Sequence, residues 1–144
     1  DFININRQEN AIYLNEHLAQ FNILTLPNFS KHEVPHVYPI VFNGKKEKRD
    51  LIIKLMSQEG IPLSSGYSRL MYQNHLFLRK IAYGINNFPW NDTEIDYNNV
   101  NCKKAEEFMN KFIVFFPIYP PNTEGDMKDV VLAFTKVLDQ LKCI

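Results

Sequence analysis

No stretch of the 144 residues stays apolar for the roughly 20 positions that a bilayer-spanning helix requires. Runs such as Phe112-Ile113-Val114-Phe115-Phe116 are far too short. The first residues also lack the basic-then-apolar pattern of a leader, so a soluble, cytoplasmic protein with no membrane partner is expected. An excess of one charge is missing too: 16 basic residues balance 16 acidic ones. That leaves no phosphate-tracking face and argues against a nucleic-acid partner. With 22% charged and 45% hydrophobic residues, the composition is that of a globular domain rather than a disordered tail. Cysteine is scarce. Cys102 and Cys143 stand far apart without metal or thioredoxin spacing, which fits a reducing compartment better than a disulfide. Neither G-x-G-x-x-G nor G-x-x-x-x-G-K-[ST] occurs, so neither form of phosphate cradle is expected.

What is present reads as one domain over residues 1–144, a length that supports one compact core. Ala11, Leu14, Leu18 and Phe21 share a helical stripe and predict a helix over 6–20. Strands are expected at 23–26 and 34–42, with Pro35 and Pro39 marking an edge or a bulge. Leu51, Ile52, Leu55 and Met56 predict a helix over 49–59 that Gly60 stops. A brief extended segment follows at 61–63, then a helix over 72–83 and a long polar loop over 86–101. A short helix over 103–110, a buried strand over 112–116 and a closing helix complete the chain. That last helix starts at Thr123 and Asp126, which resemble a capping box, and carries Met127, Val130, Val131, Phe134, Val137, Leu138 and Leu141 in helical period. Without a strict β-α-β rhythm, the fold class expected is α/β of the α+β type: a small, mostly antiparallel sheet of three to four strands with helices packed on it.

Few segments carry chemical signals. His32-Glu33-Val34-Pro35-His36 matches H-E-x-x-H literally, but that motif needs a helix to bring both histidines to one metal, and Pro35 opposes one. No metal is expected there. Two glycosylation sequons, Asn28-Phe29-Ser30 and Asn91-Asp92-Thr93, are short enough to arise by chance. Cys102 beside lysines reads as a structural thiol rather than a nucleophile, because a depressed pKa alone is not a mechanism. The segment Ser64 to Phe77, SSGYSRLMYQNHLF, is different: it leaves a strand carrying Tyr67, Arg69, Tyr72 and Asn74, and loops in such places commonly bear binding groups. Packing of the tyrosine rings on the sheet is the competing reading.

The motif order resembles the C-terminal small domain of the DegT/DnrJ/StrS sugar aminotransferases, within aminotransferase fold type I. The resemblance runs through Arg7, Asn10, Ala11 and Leu14, then Arg49-Asp50, Leu55 and Gly60-Ile61. It continues through Gly66-Tyr67, Tyr72, Leu76 and Phe77 to Cys102, Ala105 and Glu106, and closes on Asp126-Met127, Asp129, Ala133 and Lys136-Val137. Leu70, Met71, His75 and Lys103 depart from that branch of the family and bear on substrate class more than on fold.

The resemblance implies a chain in which residues 1–21 connect to an N-terminal pyridoxal phosphate (PLP) domain and 22–144 form the sheet-and-helix body. The missing domain would hold PLP on a lysine, with an acidic residue at the pyridine nitrogen. The whole enzyme would move an amino group from glutamate or glutamine to a keto nucleotide-sugar or related cyclitol, as a homodimer, in polysaccharide or lipopolysaccharide biosynthesis. Residues 1–144 alone would be inactive, with no catalytic or cofactor-binding residue. Tyr67, Arg69, Tyr72 and Asn74 are the expected substrate-binding residues. The alternative is a stand-alone binding or regulatory module with the same fold. A further rival is an unrelated enzyme using the HEVPH segment.

Overall fold

The computed structural model describes residues 2–30, 32–115 and 117–142. Its helices are α1 (Phe2–Leu18), α2 (Lys46–Gln58), α3 (His75–Leu78), α4 (Lys103–Met109) and α5 (Glu124–Gln140). Its strands are β1 (Leu24–Thr25), β2 (Tyr38–Phe42), β3 (Leu63–Ser64) and β4 (Phe112–Phe115). They form one four-stranded sheet, antiparallel throughout, in the order β1-β2-β4-β3. The expected fold class is the one that forms. Internal packing divides the chain into two compact units: Asp1–Gly66 with Phe108–Ile144, and Tyr67–Glu107.

In the first unit, side-chain alternation along β2 turns Tyr38, Ile40 and Phe42 to one face of the sheet, where they are buried. Leu14 and Leu18 of α1, Ile52 and Met56 of α2, and Phe134 and Leu138 of α5 complete the same apolar cluster. Both α2 and α5 present the stripe that the helical period of their sequences requires. Gly60, at φ +83, stops α2 by letting Ile61 N–H reach Met56 O at 2.9 Å and its own N–H reach Ser57 O at 3.2 Å. At the start of α5 the Asp126 carboxylate accepts from the backbone N–H of Thr123 at 2.7 Å and from its hydroxyl at 2.8 Å. The N–H bond first, then the hydroxyl, lowers the Asp126 pKa. The stabilisation from this cap is therefore full above the ordinary carboxylate range and lost as pH falls through the lowered value.

Pro39 lies inside β2, between β1 and β4 in the strand order, but on a side left unpaired at that residue, so the expected edge setting holds locally. Hydrogen-bond parity explains how. Phe42 N–H donates toward β4, to Lys111 O at 2.9 Å, whereas Asn43 N–H donates toward β1, to Ile23 O at 2.8 Å. Backbone N–H groups alternate sides along an antiparallel strand, so Pro39 faces the β1 side with Val41 and Asn43. There β1 pairs only with Phe42 and Val41 and then ends. The absent N–H of Pro39 costs no ladder bond. The expected strand from residue 34 begins at Tyr38 instead.

Polar groups tie α1 to the loops. Asn10, only 1% exposed, donates through Nδ2 to Ile118 O at 3.2 Å and Asn122 O at 3.3 Å. The buried Tyr38 hydroxyl donates to Asn15 Oδ1 at 2.6 Å, and burial pushes its pKa well up. Asn10→Leu leaves the Ile118 carbonyl buried without its donor and is expected to cost about 2 kcal/mol. The check is a lower urea midpoint at unchanged slope. An unmoved midpoint would mean that the bonds contribute nothing net.

Candidate functional site

The Tyr67–Glu107 unit is built from single turns rather than from long elements. The helix expected over 72–83 is broken into a 3-10 turn, Met71–Gln73, and the one-turn α3. Asn74 makes the break: its backbone is extended (φ −74, ψ 143), and its Oδ1 accepts from Leu76 N–H at 3.1 Å to cap the turn that follows. Lys80, at φ +48, ends α3 with Ile81 N–H on Leu76 O at 3.0 Å and its own N–H on Phe77 O at 3.1 Å.

The stretch over 86–101, expected as a long polar loop, has structure of its own together with the residues just before it. Tyr83 N–H donates to Phe88 O at 2.9 Å to close a small antiparallel bridge. Trp90 is buried and donates from Nε1 to Ile81 O at 2.7 Å. The Phe77, Trp90 and Tyr97 rings gather with centroids 5.2 to 5.8 Å apart, a compact aromatic cluster in place of an aliphatic core. Asp96 caps a turn over Tyr97–Asn99, and the side chain and backbone of Asn98 hold its carboxyl below the usual range.

The four residues singled out by sequence all fall in this unit, and the structure separates their roles. Tyr67 is 82% exposed, and Arg69 is exposed, so a phenol and a guanidinium stand in solvent two positions apart. Tyr72 is half-buried and its hydroxyl donates to the carboxylate of Glu106, a bond that raises its pKa. Asn74 spends its side-chain oxygen on the α3 cap. Glu106 entered the sequence reading only through the family resemblance. No local pattern links it to a tyrosine 34 positions away.

Among the other chemical signals, residues 32–36 form no helix, and the carbonyls of Pro35 and His36 accept from Arg7 at 3.2 and 3.1 Å. Among the described residues, no group of three or more His, Cys, Asp or Glu side chains is placed to hold a metal. Cys102 is exposed with a free thiol, and Cys143 lies outside the described residues. No described lysine is buried. Lys136, which lines the cavity beside α5, is paired with Glu59 at 2.7 Å. Lys48 and Lys80 are half-buried and the other described lysines are exposed, so no described lysine is enclosed as one forming a Schiff base commonly is. What the Tyr67–Asn74 segment presents to solvent is a hydroxyl and a cationic group ahead of a short capped turn.

No helix among the described residues is long and apolar enough to cross a membrane. No curated protein matches the sequence at a significant level. Solved structures do match the fold. NtdA from Bacillus subtilis, with the bound cofactor PMP, superposes with a TM-score of 0.73 at 20% identity, over 95% of this chain and 28% of that one. The aminotransferase PseC from Helicobacter pylori, involved in the biosynthesis of pseudoaminic acid, gives 0.73 at 19% identity, over 96% and 33%. A sugar aminotransferase from Micromonospora echinospora gives 0.68 at 13% identity, over 93% and 30%. The chain therefore spans about a third of the length of these proteins. A family model covers residues 1–135, nearly the whole sequence and both packed units, and by that match the chain belongs to the DegT/DnrJ/EryC1/StrS aminotransferase family.

Proposed function

We propose that residues 1–144 are the C-terminal small domain of a longer PLP-dependent aminotransferase, a cytoplasmic homodimer that moves an amino group from glutamate or glutamine to a keto nucleotide-sugar or related cyclitol. The observation that carries this reading is the disparity of coverage. The family model takes in residues 1–135, while the fold accounts for 95% of this chain and only 28% of NtdA. That no described lysine is buried supports placing the cofactor on polypeptide outside these residues. On this reading the 144 residues alone are inactive. Tyr67 and Arg69 meet the sugar nucleotide, Tyr72 and Asn74 shape the rim that presents them, and the pathway is polysaccharide synthesis, lipopolysaccharide included.

Two measurements test the proposal. Mass spectrometry of source-cell lysate should find this sequence within a polypeptide about three times as long, as expected from the share of the solved structures that it spans. In that protein, Tyr67→Phe and Arg69→Ala should each raise KM for the keto sugar about tenfold, the effect of losing one hydrogen bond to a charged or polar group. A native product no longer than 144 residues would make the chain a stand-alone binding module instead. Unchanged KM in both variants would remove the two residues from the site.

A further inference from the structure

The Tyr67–Asn74 rim has little to hold it. Its own regular structure is one 3-10 turn, closed by Gln73 N–H on Leu70 O at 3.0 Å and by the Gln73 side chain on Leu70 N–H at 3.3 Å. Asn74 caps forward into α3 and ties the rim to nothing more distant. The Tyr72 hydroxyl ties the segment to α4 and the residue before it: it donates to Glu106 and accepts from the backbone N–H of Cys102. The bond to Glu106 is charge-assisted, with a phenol O–H directed at a carboxylate, and half-burial of both side chains limits competition from water. Tyr67 and Arg69, by contrast, stand in solvent.

Resting on the reading that this rim receives the sugar nucleotide, we infer that Tyr72 and Glu106 are positioning residues. Their bond is the strut that holds Tyr67 and Arg69 in a substrate-receiving arrangement, so a carboxylate outside the rim governs sugar affinity. Tyr72 then serves through Glu106, since its proton is already committed.

The test uses the full-length protein with Tyr72→Phe, Glu106→Leu, Glu106→Gln and the Phe/Leu double variant. Tyr72→Phe and Glu106→Leu should each raise KM for the keto sugar about tenfold with kcat within about twofold, because the lost bond orders the binding groups and does not touch the reacting atoms. The double variant should be no worse than Tyr72→Phe alone, since that variant already removes the bond to Glu106. Glu106→Gln, which keeps an acceptor, should recover most of the loss. A raised KM in Tyr72→Phe with normal KM in Glu106→Leu, or additive losses in the double variant, would overturn the strut and make Tyr72 a direct ligand.

A second readout is independent of substrate. Trypsin cleavage after Arg69 should quicken in Glu106→Leu and at least as much in Tyr72→Phe. Unaltered cleavage in both would sink the inference by itself. Wild-type protein that turns over no keto nucleotide-sugar would instead refute the functional reading, with the trypsin result still deciding whether the strut exists.

Discussion

Phe134→Ala should lower the stability of the chain by about 4 kcal/mol, the cost of a large buried aromatic replaced by a methyl group in a core that closes only partly around the void. Phe134 has no solvent exposure and sits midway along α5, flanked by the buried Val130, Val131, Val137 and Leu138. The same cluster takes in α1, α2 and the inner face of the sheet, so the void would open where several layers meet. Urea denaturation gives the measurement. Leu132→Ala is the control, because Leu132 lies on the same helix but is 57% exposed, and its loss should cost about 0.5 kcal/mol or less. Equal losses for the two variants would mean that α5 does not turn Phe134 inward.

Arg49→Ala should cost about 3 kcal/mol by a different route. The Arg49 side chain is 4% exposed, and its Nη1 donates to Phe112 O at 2.7 Å and Met109 O at 3.3 Å. It clamps the turn through which the chain passes from α4 into β4. Nε approaches Asp50 Oδ1 at 2.7 Å but lacks hydrogen-bond alignment, so that contact is ionic only. Removing the guanidinium leaves two carbonyls without their donor. Arg49→Lys keeps the charge but not the fork, and should recover about half of the loss. Asp50→Asn should cost less than about 1 kcal/mol, since Asp50 is 45% exposed and its pairing is screened. A larger effect at Asp50 than at Arg49 would place the stabilisation in the ion pair rather than in the carbonyl clamp.

Legibility in the sequence followed the length of each periodic run. The helices α2 and α5 carry their apolar stripe over three turns or more, and their observed bounds fall within a few residues of those expected from period and stop signals. The strand at 112–116 was readable as an apolar run, and Ile113, Val114 and Phe115 are all buried, so both of its faces are covered. The Tyr67–Glu107 unit was read less well because side chains, not periodicity, decide it. Asn74 can continue a helix or cap the next one, and only its extended backbone shows which. Lys80 ends α3 in a left-handed conformation that sequence rules assign to glycine or asparagine. The Phe77, Trp90 and Tyr97 cluster draws on residues up to 20 positions apart with no common period. The Tyr72–Glu106 bond is a long-range pairing of the same kind, beyond any local pattern.

Pro39 bears on how the molecule behaves in a crowd. Past Thr25 the β1 side of β2 has no strand paired to it, and an unpaired strand border is where a stray segment from another molecule can zip up and seed aggregation. Along that border the next donor position after Val41 belongs to Pro39, which has no hydrogen to give. Because Val41 is already paired with Thr25, an incoming strand would meet the gap at its first rung. The proline that leaves the native sheet undisturbed thus withholds a ladder donor from any fifth strand that a neighbour could add there, without adding a single charge.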